Sequence, residues 1–220
     1  MCLRGSAAAR VGGTVILVFL AGVPKRACSD TPCPTIKLCC RACSLYTAPR
    51  AGRSCGSASV AYDLVQGTLA AYAVFVPVSG EAQDDYTVTS VPPGSGLTFR
   101  ARLDVQASAC ASSYSYGRTT ARLAEGSNED RVTVSPYEGC YSVNDTLEIT
   151  LTHFAGEPFR LTLEVGFSLI EGTASGSVQG RLSFLDLPPG AVITSCQGFR
   201  QEIATPARTH TWGQLKAQYR

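Results

Sequence analysis

Few residue types in this chain can do chemistry, and the cysteines lead them. Ten occur in 220 residues, and Cys28, Cys33, Cys39, Cys40, Cys43 and Cys55 crowd into one short stretch. Thiols at this density point to an oxidising compartment or to a metal. The Cys40-x-x-Cys43 spacing suits one pair of zinc ligands, but a closed tetrahedral site needs four. No clean second pair and no histidine stand nearby, so no metal site is assigned; the stretch reads either as a disulfide-tied or disordered leader or as one that is untranslated or mis-framed. Further along, Cys110 and Cys140 are expected to pair, a closure worth roughly 3–4 kcal/mol in the chain-entropy model. Cys55 and Cys196 flank the first and last strands expected from the sequence and form a second candidate bridge.

Tyrosines make the next cluster. Tyr114 and Tyr116 fall in one Ser/Tyr-rich segment, residues 110–117, and Tyr137 and Tyr141 in another, residues 137–144. Both segments read as loops. If the fold gathers them at one end, the four rings make a stacking surface for a sugar or a protein. The competing reading is that they cap the edge of a sheet.

Catalytic signatures are missing. There are two histidines, His153 at a strand end and His210 in the tail, and no Gly-x-Ser-x-Gly, His-Glu-x-x-His or phosphate-cradling glycine loop. No catalytic residue and no cofactor are assigned, and a non-enzymatic role is expected. Glu81, Asp84 and Asp85 fall in one expected loop, and Glu125, Glu129 and Asp130 in another. Neither group has the Asp-x-Asp-x-Asp-Gly spacing of a calcium loop, so they read as solvated turn carboxylates. Asn144-Asp145-Thr146 matches a glycosylation acceptor.

The elements that must position these residues are strands. Leu147, Ile149 and Leu151 alternate with Glu148, Thr150 and Thr152. Phe159, Leu161, Leu163, Val165, Phe167 and Leu169 repeat the pattern at greater length, as do Leu97, Phe99, Ala101, Leu103, Val105 and Ala107. A period of two sets apolar side chains on one face and polar ones on the other. Shorter runs at 59–64, 69–78, 86–91, 119–123, 131–134, 178–184 and 191–195 are separated by turn residues such as Pro92-Pro93-Gly94 and Pro188-Pro189-Gly190. Several strands with one apolar face need a second layer to cover it. The expected fold is all-β: a two-sheet antiparallel β-sandwich, jelly-roll-like, of about nine or ten strands.

Within this pattern, the runs F-A-G-E-P-F-R-L-T-L-E-V, G-T-A-S-G-S-V-Q-G and L-D-L-P-P-G-A-V-I-T-S-C-Q-G-F resemble the C-terminal half of a group of secreted bacterial β-sandwich proteins. Many of that group, the PEP-CTERM or choice-of-anchor type, carry a short C-terminal sorting signal. The resemblance spans residues 57–198 and implies an exported structural or adhesive role without an assigned activity. Cys196 departs from it, standing where a small residue is usual. The C-terminus also lacks the Pro-Glu-Pro box, membrane helix and basic cluster.

Four segments follow from these readings. Residues 1–23 carry Arg4 and Arg10 before an apolar run, 11–23, which has the layout of a signal peptide and is too short to span a bilayer. An alternative is that the true start lies further on. Residues 24–56 read as a Cys-rich irregular leader, 57–199 as the sandwich, and 200–220 as a basic tail. In that tail Trp212, Leu215 and Tyr219 at helical spacing after Thr211 predict a short helix, either a sorting or docking tag or a frayed end. Charged residues make up 16% of the chain and the net charge is +2, so nothing calls for a nucleic-acid partner. A secreted or cell-surface location is expected, with extracellular polysaccharide or a surface protein as the partner and no stable transmembrane segment.

Overall fold

The computed structural model describes Cys33, residues 35–40 and residues 42–204. Among them lie fourteen strands and no helix. In chain order they are β1 (Ile36–Cys40), β2 (Ala42–Tyr46), β3 (Arg50–Cys55), β4 (Ala58–Asp63), β5 (Thr68–Val74), β6 (Val78–Thr89) and β7 (Gly96–Ala111). Then follow β8 (Tyr116–Glu125), β9 (Asn128–Val134), β10 (Gly139–Phe154), β11 (Pro158–Glu171), β12 (Ala174–Leu185), β13 (Val192–Ser195) and β14 (Arg200–Glu202).

The strands form two packed antiparallel sheets. The first runs β14-β13-β6-β11-β8-β9, with β1 also pairing to β6 and β2 to β1. The second runs β10-β7-β12-β5-β4-β3. From β5 to β8 each strand lies in the sheet opposite its predecessor, and the same holds from β9 to β12; within this stretch β8 and β9 are the one consecutive pair adjacent in one sheet. The long apolar runs on β7 and β11 therefore line opposite walls of the core, β7 packing against β8 and β11 against β12 and β5.

Alternation decides which side chains fill that core. Phe99, Ala101, Leu103, Val105 and Ala107 of β7 are buried, as are Phe159, Leu161, Leu163, Val165 and Phe167 of β11. At one end Tyr86, Phe99, Phe159, Phe184 and Phe199 pack ring to ring, with Tyr86 and Phe184 centroids 5.3 Å apart. Such contacts add to plain burial. Tyr62 bolts the two layers together. It comes from β4 of the second sheet, and its hydroxyl donates to the carbonyl oxygens of Gly80, at 2.6 Å, and Leu163, at 3.2 Å, in the first. Gly80 permits this approach, since a Cβ there would sit 2.5 Å from the Tyr62 ring.

Several expectations need correction. The leader is not irregular where it is described: β1, β2 and β3 belong to the sheets, so the sandwich starts well before residue 57. It also extends past 199 through β14. The apolar run 69–78 is interrupted, because Phe75 adopts a left-handed φ of 59° and Pro77 has no N–H to donate. Cys110 and Cys140 lie within strands, not loops. Glu81, Asp84 and Asp85 lie on β6, and Glu129 and Asp130 on β9. The signal-peptide segment 1–23 and the helical tail at 211–219 lie outside the described residues.

Candidate functional site

Disulfides shape the region around the tyrosines. Cys110 and Cys140 are directly opposite across β7 and β10, their sulfurs 2.11 Å apart. Three further pairs differ from expectation: Cys33 joins Cys196, Cys39 joins Cys43, and Cys40 joins Cys55. The Cys55–Cys196 bridge does not form, because each cysteine is bonded to another partner, Cys55 to Cys40 and Cys196 to Cys33. Instead Cys40–Cys55 ties β1 of the first sheet to β3 of the second. Cys40 and Cys43 are spent in separate disulfides, so the Cys-x-x-Cys pair does not act as a ligand pair here.

Beyond the Cys110–Cys140 bridge, four connections gather at one end of the molecule. The Ser113 hydroxyl donates to Glu138 at 3.1 Å, joining loop 112–115 to loop 135–138. Ser112 N–H donates to the Thr173 carbonyl, and Thr173 N–H donates to the Ser115 hydroxyl at 2.8 Å, which brings in the turn 172–173. Phe75 N–H donates to the Ala174 carbonyl and places the 75–77 connection beside them. Close packing supports this end from beneath: a Cβ on Gly176 would lie 2.5 Å from the Phe167 ring.

On that base the structure brings Tyr116 and Tyr137 together, with ring centroids 5.3 Å apart and planes 28° from parallel. Arg118 lies 6.0 Å from the Tyr116 centroid and donates to its hydroxyl at 3.3 Å. That hydrogen bond pulls the Tyr116 phenol below its ordinary pKa. Tyr137 is 80% exposed and Tyr114 95%. Tyr114 sits at the loop tip with a φ of 63°. Left-handed backbone is costly for a bulky residue and is held only by its surroundings. Tyr114 and Phe75, both exposed aromatics of this end, carry that conformation. Beside Tyr116 the β11–β8 register slips between Leu169 and Glu171, and exposed Ile170 projects at the bulge. Tyr141 is exposed on β10, one residue past Cys140, outside the stacked pair.

A second surface has no counterpart in the sequence reading. The outward-facing residues of the second sheet line up in transverse rows. One row runs Asn144, Gln106, Gln179, Ala70, Ala61, Gly52, each directly opposite the next. The row on one side runs Thr146, Asp104, Arg181, Thr68, Asp63, Arg50, and that on the other Ser142, Ser108, Ser177, Tyr72, Ser59, Ser54. Small side chains in the first row leave a trough between it and the Thr146-to-Arg50 row, about 870 Å³ in volume. Arg50 and Asp63 pair at 2.7 Å on its wall, and Arg102 Nε donates to Asp104 at 2.8 Å.

The remaining candidates are engaged in structure. His153 Nε2 lies 2.5 Å from Glu125, and its ring stacks on Phe159 at 4.6 Å. Asp84 is 2% exposed. Its Oδ1 accepts from the N–H of Asp85 at 2.9 Å and of Gln197 at 3.2 Å, and burial pushes its pKa up to about 6. Among the described residues no group of three or more metal-ligating side chains occurs, and no helix is long and apolar enough to cross a membrane.

No protein-family model matches the chain, and no curated protein matches it either. The resemblance to the PEP-CTERM group rests on the quoted residues alone.

Proposed function

We propose that the chain is an exported, non-catalytic surface or matrix domain that binds carbohydrate through its tyrosine-bearing end. The observation that carries this reading is the stack of Tyr116, at the start of β8, on the loop residue Tyr137, next to the loop bearing Tyr114, an end braced by Cys110–Cys140 and by hydrogen bonds between loops. Aromatic faces held rigidly and open to water pack against the C–H face of a sugar with little ordering cost. The four disulfides and the low charge favour an oxidising location outside the cytosol. The interleaving of β5–β12 between the sheets favours a jelly-roll architecture, in which loops from both sheets meet at one end.

A glycan array probed with the intact, oxidised chain tests the reading. Retention of a defined set of glycans, lost when Tyr114→Ala and Tyr137→Ala are combined, is the expected result. An empty array refutes carbohydrate binding. Exposed Phe75 and Ile170 at the same end favour a second reading, contact with a surface protein. In that case Phe75→Ser and Ile170→Ser would release the chain from its assembly while the array stays empty.

A further inference from the structure

The trough across the second sheet is a site of a different kind from the tyrosine end, and we propose that it binds an extended, uncharged polysaccharide laid across the strands. Length comes first. Six strands about 4.8 Å apart make a row of about 24 Å, room for several pyranose rings in line. The strand spacing is close to the advance of one pyranose along an extended chain, so successive strands meet successive sugars.

Side-chain chemistry points the same way. Asn144, Gln106 and Gln179 stand side by side on neighbouring strands and are exposed. Each amide offers both a donor and an acceptor, the combination that a pair of neighbouring sugar hydroxyls satisfies. Past them the floor drops to Ala70, Ala61 and Gly52, which gives the apolar C–H face of a ring somewhere to rest.

Charge argues against the other polymers. Arg50 is paired with Asp63, and Asp104 with Arg102. The other charged lining residues, Arg181 and Asp145, are of opposite sign. A nucleic acid or a sulfated glycan needs a surplus of cations, and the trough has none. A peptide adding as a strand needs free backbone N–H and C=O groups at a sheet edge. The trough crosses paired strands and presents side chains only.

Affinity electrophoresis of the full-length, oxidised chain through gels containing xyloglucan, mannan, mixed-linkage glucan or dextran is the test, with heparin as the charged control. At least one neutral polymer should retard it. Titration with an oligosaccharide of that polymer should show about a tenfold loss for Gln106→Ala combined with Gln179→Ala, as two to three hydrogen bonds disappear. Ala61→Arg, which fills the floor from an exposed position, should abolish the retardation. Tyr114→Ala with Tyr137→Ala should leave it in place. The proposal is overturned if none of the neutral polymers retards the chain, if heparin alone does, or if both trough variants bind as tightly as the parent. Loss with the tyrosine variant alone would overturn the trough and leave the loop end standing.

Discussion

Asp84 is the residue at which the fold works against itself. A carboxyl 2% exposed, with Oδ2 lacking a hydrogen-bond partner, is held charged at neutral pH at a cost. Its pKa of about 6 lies above the ordinary 3.8, so the folded chain binds this proton more tightly than the unfolded chain does. The contribution is therefore fully present below pH 4 and is lost as pH rises through 6. The shift corresponds to about 3 kcal/mol by linkage. The thermal midpoint should fall across pH 4–6 from this group. Asp84→Asn, whose amide oxygen can accept the same two N–H groups, should raise the midpoint at pH 7 and flatten that slope. A mutant that keeps the parent slope would remove Asp84 as its cause. Tyr62 gives a second residue-scale prediction. Its hydroxyl is buried and joins the layers, so Tyr62→Phe should cost about 1–3 kcal/mol in urea unfolding, because it strands buried carbonyl acceptors.

At the scale of elements, the Cys110–Cys140 bridge links the edge pair β7–β10 at the point where both strands pass into the tyrosine loops. Replacing both cysteines by serine should lower stability by roughly 3–4 kcal/mol in chemical denaturation. Glycan affinity should fall further than partial unfolding accounts for, because the loop tips lose their brace. Element identity was legible wherever one face is buried and the other wet: β7, β11, most of β12 and the second half of β10 declare themselves by alternation alone, whereas the exposed first half of β10 reads as a loop. The short strands were not. β3, Arg50–Cys55, has no hydrophobic alternation at all and is held at an edge by pairing to β4 and by the Cys40 bridge. The acidic stretch of β6 reads as a loop because Gly80 and Asp84 occupy inward positions where apolar side chains are expected. The first is dictated by the Tyr62 ring and the second accepts the backbone N–H of Gln197 from a distant turn.

Across the whole molecule, the two candidate surfaces differ in how they arise. The tyrosine end is partly legible because its residues cluster in two short segments. The trough is not, since residues 52, 61, 70, 106, 144 and 179 are strangers in sequence and become neighbours only through strand register. Cys33–Cys196 spans 163 residues and closes the described fold on itself, a constraint worth about 5 kcal/mol in the chain-entropy model. A scaffold so stapled can hold exposed rings and amides in place without a large core beneath each one. Saturation-transfer NMR with the glycan that the intact chain selects tests this most directly. Irradiating tyrosine ring protons should attenuate the sugar C–H resonances, and Tyr114→Ala with Tyr137→Ala should abolish the transfer from the loop end. Undiminished transfer in that variant, or none in the parent, would contradict the claim that these rings are the contact face.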